Sequence, residues 1–333
     1  MLHIHLTRWP FVQWRSSAPS ALAVGWVALI ISIIAGSSYN SFAKQLGEGL
    51  SPLSLIFVSE VLTGFFVLLS FGTVPLVRQI LSLQQRHLLP MLVLGVINGI
   101  VAPVLWFIGL RSTSAVNAEL FGRSEMLAMI LFAVLFLGER IKREHIIAGA
   151  VMISGIIFVA FRGFSVSITL QWGDALILLA SVVFASGSII FKRFLHDVPV
   201  QVVTVLRSVV AVSAFFFVSP FITHPLVEEI RTFPLELLPA LLGFAFIARF
   251  LLLISFYEAV DRIPVATVSL ASTMNIVGGT LFAHFYLGEQ FAWYHMFGGG
   301  LIALGVLLLQ LIGVHATPEE HERHIRQHPR HHH

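Results

Sequence analysis

Residues 107–155 read FIGLRSTSAVNAELFGRSEMLAMILFAVLFLGERIKREHIIAGAVMISG, and residues 257–305 repeat this pattern as YEAVDRIPVATVSLASTMNIVGGTLFAHFYLGEQFAWYHMFGGGLIALG at a constant offset of 150. The motif Leu137-Gly138-Glu139 aligns without a gap on Leu287-Gly288-Glu289. Three further identities fall at the same offset: His145 with His295, Gly149 with Gly299 and Gly155 with Gly305. Unrelated apolar stretches would not share these residues at one offset, so we interpret the match as an internal duplication.

The composition around the repeat is that of a membrane protein. Of the 333 residues, 57% are hydrophobic and only 11% are charged, whereas about a quarter of the residues in soluble domains are charged. Apolar runs of about 20 residues, each sufficient to cross a hydrocarbon core of about 30 Å as a helix, recur along the chain. The sequence therefore predicts an all-α membrane protein, and the absence of cysteine excludes a disulfide framework and thiol catalysis.

We predict ten transmembrane helices, five in each copy of the repeat. They cover residues 21–44, 52–71, 88–110, 114–137, 145–161, 172–194, 199–219, 238–260, 264–287 and 291–314. Because five is odd, the second copy enters the membrane from the opposite side, which gives two inverted five-helix repeats. On alternate sides of ten spans, 13 Lys and Arg residues lie on the side of the N-terminus and 4 on the other. This asymmetry predicts a multi-pass protein of the plasma (inner) membrane with both termini in the cytoplasm.

The chain divides into four segments on this interpretation. Residues 1–20, with Trp9, Phe11 and Trp14, form a cytoplasmic interfacial leader. Residues 21–163 form the first repeat and residues 164–314 the second. Residues 315–333 are polar and rich in histidine, which is typical of a disordered, solvated tail more than of a metal site.

The repeated motifs resemble a known family. The turn LGER at 137–140 and its copy LGEQ at 287–290 are each followed by a helix with small residues, and they are similar to the EamA-type members of the drug/metabolite transporter superfamily. The resemblance covers essentially residues 21–314 and implies a ten-helix transporter built from two such halves. Family members often have an arginine in both the second and the seventh helix; Arg207 fits this pattern, whereas Glu60 departs from it.

Ionisable side chains within predicted spans are the candidates for function, because each is unfavourable in a bilayer by roughly 2.5 to 3.5 kcal/mol. Three are acidic and three are basic: Glu60, Glu119, Glu125, Arg123, Arg207 and Arg249. Glu119 and Arg123 are spaced i, i+4 and can form a pair within one helix. Glu60 and Arg207 occupy matching places at an offset of 147. Purely structural ion pairing is the alternative to a functional role for all six.

The repeat places polar residues of the fourth and ninth helices at matching positions. Asn117, Glu119, Arg123 and Glu125 correspond to Thr267, Ser269, Thr273 and Asn275. An inverted-repeat transporter binds its substrate near the membrane midplane, at the interface of its repeats. We therefore predict a substrate site that also includes the third and eighth helices. Its residues are Asn98, Asn117, Glu119, Arg123, Glu125, Arg249, Thr273 and Asn275.

These residues suit a small polar or zwitterionic metabolite such as an amino acid. Arg249 would bind its carboxylate, and Glu125 would bind its ammonium group. Glu125 is also a candidate for proton coupling, because Arg123 points about 160° away on a helical wheel; permanent pairing with Arg249 or Arg207 is the competing interpretation. We thus predict a secondary transporter, an exporter or exchanger, that works by alternating access and lacks a nucleotide-binding loop.

Other function classes fit less well. An intramembrane enzyme would need a metal or nucleophile motif, which we do not find in the sequence. A membrane scaffold would need a long exposed loop, and the longest predicted internal connection spans only residues 220–237. We therefore expect no enzymatic activity, no cofactor, no metal and no nucleic-acid partner. The expected partners are the substrate and the lipid bilayer, and the small residues of the fifth and tenth helices predict packing between the halves of a monomer or, alternatively, a homodimer.

Overall fold

The computed structural model of the protein describes residues 21–137, 143–164, 171–195, 197–221, 226–262, 268, 271–272 and 274–314. The predicted leader and tail therefore lie outside the described residues. All regular elements in the described part are helical, as predicted. The helices at the ten predicted positions are α1 (Ala21–Ser37 and Tyr39–Leu46), α2 (Pro52–Phe71), α3 (Gln85–Arg111), α4 (Ala115–Gly122 and Ser124–Leu137), α5 (Arg143–Ala160), α6 (Trp172–Phe194), α7 (Val200–Val218), α8 (Leu238–Leu242, Gly243–Leu251 and Leu252–Arg262), α9 (Met274–Leu287) and α10 (Trp293–Val314). Shorter helices, Thr73–Leu81 and Leu226–Arg231, lie in connections.

Six of these helices are long and apolar enough to cross a membrane, as judged on the described part of the chain. They are α1, α2, α3, α6, α7 and α8. Shorter apolar helices within α5 and α10 cover His145–Ala160 and Trp293–Leu309. The helix α4 is divided at Arg123, and the start of the predicted ninth span lies outside the described residues. The all-helical membrane fold is thus confirmed, whereas ten membrane crossings stay a prediction.

Apolar side chains cover the outside of the bundle as well as its core, which differs from a soluble protein. Large apolar side chains cover the outside, including Leu69 and Phe285, which are 70% and 81% exposed. Polar side chains such as Ser59, Glu60 and Asp174 are buried between helices. This is the arrangement expected where the outer surface contacts lipid and polar groups need partners inside the bundle.

Two helices at matching positions contain π-helical segments, in which the backbone turn is widened. They are Ile97–Val101 in α3 and Gly243–Leu251 in α8. At an offset of 150 the first segment aligns with residues 247–251, so the irregularity belongs to the repeated unit. Widened turns of this kind occur often at functional sites, and both segments lie next to the charged residues described below.

The two halves are interleaved, and their contacts have the symmetry of the repeat. The helix α1 packs on α8 and α9, and α6 packs in the equivalent way on α3 and α4. Likewise α2 contacts α8, and α7 contacts α3. The pairs α2–α7, α4–α9 and α5–α10 join equivalent helices. Exchange of the halves therefore leaves this pattern unchanged, as expected for a duplicated five-helix unit.

Close packing of α5 on α10 depends on glycine, as the sequence predicted. A Cβ atom added at Gly155 would lie 2.6 Å from the carbonyl oxygen of Gly298, and one added at Gly305 would lie 2.9 Å from that of Ala148. Side chains at these positions would push the helices apart. The small residues thus join the two halves within one chain, which confirms the packing interpretation; homodimerisation stays a prediction.

Candidate functional site

A buried carboxylate joins three helices near the middle of the bundle. Glu60 of α2 is 1% exposed and forms an ion pair with Arg249 of α8. The Nη2 atom of Arg207 on α7 lies 3.4 Å from the same carboxylate oxygen. The hydroxyl of Ser208 donates to the other oxygen at 2.6 Å, and Arg249 also donates to the hydroxyl of Ser59 at 2.7 Å. We call Glu60, Arg207 and Arg249 the Glu60 cluster; it combines one helix of the first half with two of the second.

A second buried carboxylate lies where α4 packs on α9. Glu119 forms the predicted i, i+4 ion pair with Arg123 and accepts a hydrogen bond of 2.8 Å from the side-chain amide of Asn40 on α1. The indole of Trp106 donates to the Asn40 oxygen at 3.1 Å. A Cβ atom added at Gly279 would lie 2.8 Å from the carboxyl carbon, so the Glu119 carboxylate rests on the bare backbone of α9. These contacts define the Glu119 cluster.

Consecutive residues of α1 connect the two clusters. Asn40 belongs to the Glu119 cluster, and the preceding Tyr39 packs its ring 5.0 Å from that of Phe244. The Phe244 ring in turn lies 5.9 Å from the Arg249 guanidinium group. The second segment of α1 begins at Tyr39, after the helix break that follows Ser37. Its first two residues, Tyr39 and Asn40, therefore lie between the Glu60 cluster and the Glu119 cluster.

Three of the predicted site residues have few polar contacts. Glu125 accepts one long hydrogen bond, of 3.4 Å, from the hydroxyl of Ser188 on α6, and no basic side chain of the described residues lies within ion-pair distance of it. Among the described residues, the buried side-chain amide oxygens of Asn98 and Asn275 have no hydrogen-bond partner. A buried acceptor without a hydrogen bond is unfavourable, so these two positions are the least satisfied of the predicted site.

Asn117 lies near the beginning of α4, about 12 Å along the helix from Glu125 at roughly 1.5 Å per residue. Its side-chain nitrogen donates to Asp174 of α6 at 3.2 Å, and its oxygen lies 3.1 Å from Nε2 of His295 on α10. Asp174 also accepts a short hydrogen bond from Thr113. Asn117 therefore connects three helices at one end of the bundle.

The glutamate of the second LGE motif stabilises the same end of the bundle. The Glu289 carboxylate accepts hydrogen bonds from the backbone N–H groups of Ala115 and Val116, at 2.8 and 3.0 Å. Lys44 of α1 lies 3.0 Å from the same carboxylate and donates to the carbonyl of Thr113. A carboxylate is favoured at a helix N-terminus because the first N–H groups lack partners. We call these residues the Glu289 cluster; it joins the ends of α1 and α9 to the start of α4.

A smaller contact of the same kind holds the start of α2. Glu229, on the short helix Leu226–Arg231, accepts a hydrogen bond of 3.0 Å from the backbone N–H of Ser51. Partial burial raises the pKa of the Glu229 carboxyl. Hydrogen bonds from Ser51 and Ser54 and the positive charge of nearby Arg111 lower the pKa by more than burial raises it, so it lies below its ordinary value. The carboxylate form is thus favoured by the folded structure.

Comparison with known proteins identifies the family. The model of the EamA-like transporter family matches residues 23–161 and again residues 171–311, which together are most of the chain. The chain belongs to the EamA-like transporter family. Its two matched segments agree with the two copies of the repeat, and membership makes the protein a membrane transporter.

Similar proteins are described as transporters in three organisms. An "uncharacterized transporter" of Methanothermobacter thermautotrophicus is 22% identical over 86% of this chain and 85% of its own length. Another, sll1164 of Synechocystis, is 21% identical over 59% of this chain and 61% of its own length. YyaM of Bacillus subtilis is 23% identical over 68% of this chain and 74% of its own length. A solved crystal structure shares the fold at a TM-score of 0.57 and 16% identity, over 89% of this chain and 98% of its own.

Within this EamA-like fold, the structure brings together part of the predicted set. Glu119 and Arg123 form one cluster, Arg249 lies in another, and Asn98 and Glu125 both contact α6. Asn275 packs instead against Gly36 of α1, and Asn117 lies in the network at the end of the bundle. Thr273, Thr267 and Ser269 lie outside the described residues. No group of three metal-ligating side chains occurs among the described residues.

Several important residues are absent from the predicted set. Glu60 is the centre of a charged cluster; the offset of 147 gives it a place that matches Arg207, but this offset does not show that the two side chains meet, as they do in the structure. Glu289 was visible only as part of the repeated LGE motif. Asn40, Asp174 and His295 gave no such signal, because their partners are far apart in the chain.

Proposed function

We propose that this EamA-like transporter is a secondary transporter, an exporter or exchanger, of a small polar or zwitterionic metabolite such as an amino acid. The observation that carries the proposal is the pair of connected, buried charged clusters, to which both halves contribute. Charged side chains are unfavourable inside a membrane unless they have partners, and there they commonly mark a substrate or ion pathway. The site comprises the two clusters together with Asn98, Glu125, Thr273 and Asn275.

Alternating access is the proposed mechanism, and the way in which the halves meet supports it. In the proposed topology the termini are cytoplasmic, so the Glu289 cluster and the Asn117 network lie at the external end of the bundle in the plasma membrane. There they join α1, α4, α6, α9 and α10 and close the path. Opening would require these contacts to break while the interface of the halves rearranges around the charged clusters.

Glu125 is the proposed proton-coupling carboxylate. It faces α6, forms one weak hydrogen bond and has no ion-pair partner among the described residues. A carboxylate in this setting can bind either a proton or the ammonium group of the substrate, but not both at once. Such competition links proton movement to substrate occupancy.

Transport by purified protein in liposomes tests the proposal. A panel of small metabolites is screened first, because a ligand that binds the folded state raises its melting temperature. The stabilising compound is then loaded inside the vesicles, and uptake of its labelled form is followed with and without a pH gradient. We expect saturable exchange, with Glu125→Gln retaining exchange and losing accumulation driven by the gradient. Absence of exchange by the wild-type protein for every stabilising compound would contradict the proposal.

A further inference from the structure

The connection from α2 to α3 contains a nine-residue helix with an exposed apolar side. In helix Thr73–Leu81, the side chains of Val74, Val77 and Leu81 are 66%, 50% and 81% exposed. At about 100° per residue they fall within an arc of about 60°, so they form one stripe along the helix, which we call the outer stripe. Their exposure shows that the described part of the chain leaves this stripe largely uncovered.

A different side of the same helix is packed on the bundle. Leu76 is buried and Ile80 is partly buried in a hydrophobic cluster that includes Val202 of α7. The side chain of Gln201, also on α7, donates a hydrogen bond of 3.2 Å to the side-chain oxygen of Gln79. Because Leu76 and Ile80 lie about 110° around the helix from the outer stripe, the bundle holds the helix without covering the stripe.

The third side of the helix is exposed and has a positive charge. Arg78 and Pro75 are both exposed on this side. Arg78 follows Val74 by four residues and lies about 40° from it, so its charge borders the outer stripe. Among the described residues, Arg78 has no ion-pair partner. An apolar side bordered by a cationic side is typical of a helix that lies flat in a membrane surface.

This helix begins where α2 leaves the hydrocarbon core. The 20 residues of α2 span about 30 Å, which is the thickness of that core. Gly72 ends α2 with a φ of 77°, a backbone conformation that favours glycine. In the proposed topology α2 runs towards the cytoplasm, so helix Thr73–Leu81 starts at the cytoplasmic surface of the membrane.

The matching connection of the second half has the opposite charge. Helix Leu226–Arg231, between α7 and α8, has two glutamates and one arginine and therefore a net charge of −1. Helix Thr73–Leu81 has Arg78 as its one charged residue and a net charge of +1. The proposed topology places the first of these helices outside and the second at the cytoplasmic leaflet, whose anionic lipids attract cations. The difference in charge therefore fits a helix that meets anionic head groups.

We propose that helix Thr73–Leu81 lies in the cytoplasmic surface of the membrane and binds anionic phospholipid. The outer stripe lies among the first acyl carbons, and Arg78 binds the phosphate group. Arginine suits this contact because its guanidinium group donates two parallel hydrogen bonds to a phosphate, while its apolar stem extends along the stripe towards the head groups. The proposal depends on the membrane topology and not on the transported substrate.

Quenching by brominated lipids tests the proposal at this one position. The chain has no natural cysteine, so a fluorophore can be attached to Leu81→Cys in the otherwise unchanged full-length protein. The labelled protein is placed in vesicles of phosphatidylcholine and phosphatidylglycerol with identical chains, and either lipid is brominated in turn. The ratio of quenching then gives the local preference for the anionic head group. We expect a preference of about fivefold for phosphatidylglycerol, which is the contribution of one cation near an anionic surface.

Matched variants assign this preference to Arg78. Arg78→Gln should reduce the preference to less than about twofold. Arg231→Gln, which changes the exposed arginine of the other connecting helix, should leave it at about fivefold. A fluorophore at Pro75→Cys is the control for the water-facing side and should be quenched less than about half as strongly as the fluorophore at Leu81→Cys.

Any one of three results would overturn the proposal. Equal quenching of the fluorophores at Pro75→Cys and Leu81→Cys would mean that the outer stripe is not in the bilayer. The other two results are no preference for phosphatidylglycerol in the presence of Arg78, and the same preference after Arg78→Gln as after Arg231→Gln. None of these measurements depends on transport, which exchange in liposomes measures separately.

Discussion

The contact between α2 and α8 and the contact between α7 and α3 are equivalent under exchange of the two halves, but they differ in charge. In the first, Glu60 meets Arg249. In the second, Arg207 meets Gly99, the residue that aligns with Arg249 at an offset of 150. The first contact is therefore an ion pair, whereas in the second α3 offers no carboxylate to Arg207, which lies 3.4 Å from Glu60 of α2 instead.

The two contacts share a backbone irregularity but differ in the side chains placed on it. The backbone is similar in both places, because α3 and α8 each contain a π-helical segment. Arg249 meets a carboxylate and a hydroxyl across its contact, whereas Arg207 meets the bare backbone of α3 at Gly99. The two repeats have therefore diverged in charge at a position where they keep the same backbone irregularity.

Glu60→Gln should produce the largest loss of stability, because it leaves both arginines of the Glu60 cluster without a counter-charge. Breaking a buried ion pair from one side destabilises a protein by about 3–5 kcal/mol. We expect a large fall in melting temperature and in the yield of folded protein. Glu258→Gln is the control, since its pair with Arg262 is exposed and worth less than about 1 kcal/mol. Equal melting temperatures for the two variants would show that the α2–α8 contact does not stabilise the protein.

Gly99→Asp sharpens the comparison by giving α3 the carboxylate that faces Arg207. Gly99→Ala is the matched variant, because both add a Cβ atom 3.2 Å from Cγ of Arg207 and only aspartate neutralises the charge. We expect Gly99→Asp to weaken substrate affinity about tenfold more than Gly99→Ala, which corresponds to about 1.4 kcal/mol. Titration of the two variants with the wild-type ligand measures the difference, and equal affinities would show that Arg207 does not bind the substrate.

Glu289→Gln changes the end of the bundle and leaves both compared contacts intact. The glutamine side chain loses the ion pair with Lys44 and one acceptor for the N–H groups of α4, so we expect destabilisation of about 1–2 kcal/mol. Substrate affinity should stay within about twofold, while exchange rates in liposomes should change because the external closure is weakened. A loss of affinity as large as that of Gly99→Asp would mean that the Glu289 cluster takes part in binding.

The smallest expected effect is at Glu229, far in sequence from both contacts. Because its folded-state pKa lies below the ordinary 4.5, its stabilising contribution is complete at neutral pH and is lost as the pH falls from about 4.5 through the folded-state pKa. Solvent screening limits this contribution to less than about 1 kcal/mol. Melting curves from pH 7 to pH 3 should show less acid sensitivity in Glu229→Gln than in Glu228→Gln, which alters the exposed neighbour. The same acid sensitivity in both variants would show that the contact between Glu229 and Ser51 does not contribute to stability.

Much of the fold could be predicted from the sequence, because duplication and apolar runs are local signals. The i, i+4 pair of Glu119 and Arg123 and the small-residue contact of α5 with α10 follow from helical spacing alone. The partners of Glu60, Asn117 and Glu289 could not be predicted. A membrane helix is apolar towards lipid and towards its neighbours, so its pattern does not show which helix a polar side chain faces. The predicted role of Arg249 as a substrate contact stays a prediction; in the structure Arg249 forms an ion pair with Glu60.

The comparison of α2–α8 with α7–α3 requires that the two repeats be inverted in the membrane, and cysteine accessibility tests this most directly. The natural chain has no cysteine, so single substitutions can be introduced at Lys142 and Ala292 without further changes. These residues occupy matching loops, and the account predicts that an impermeant thiol reagent labels Lys142→Cys only from the cytoplasmic side and Ala292→Cys only from the external side. Labelling of both from the same side would contradict the inverted repeat and, with it, the equivalence of the two contacts.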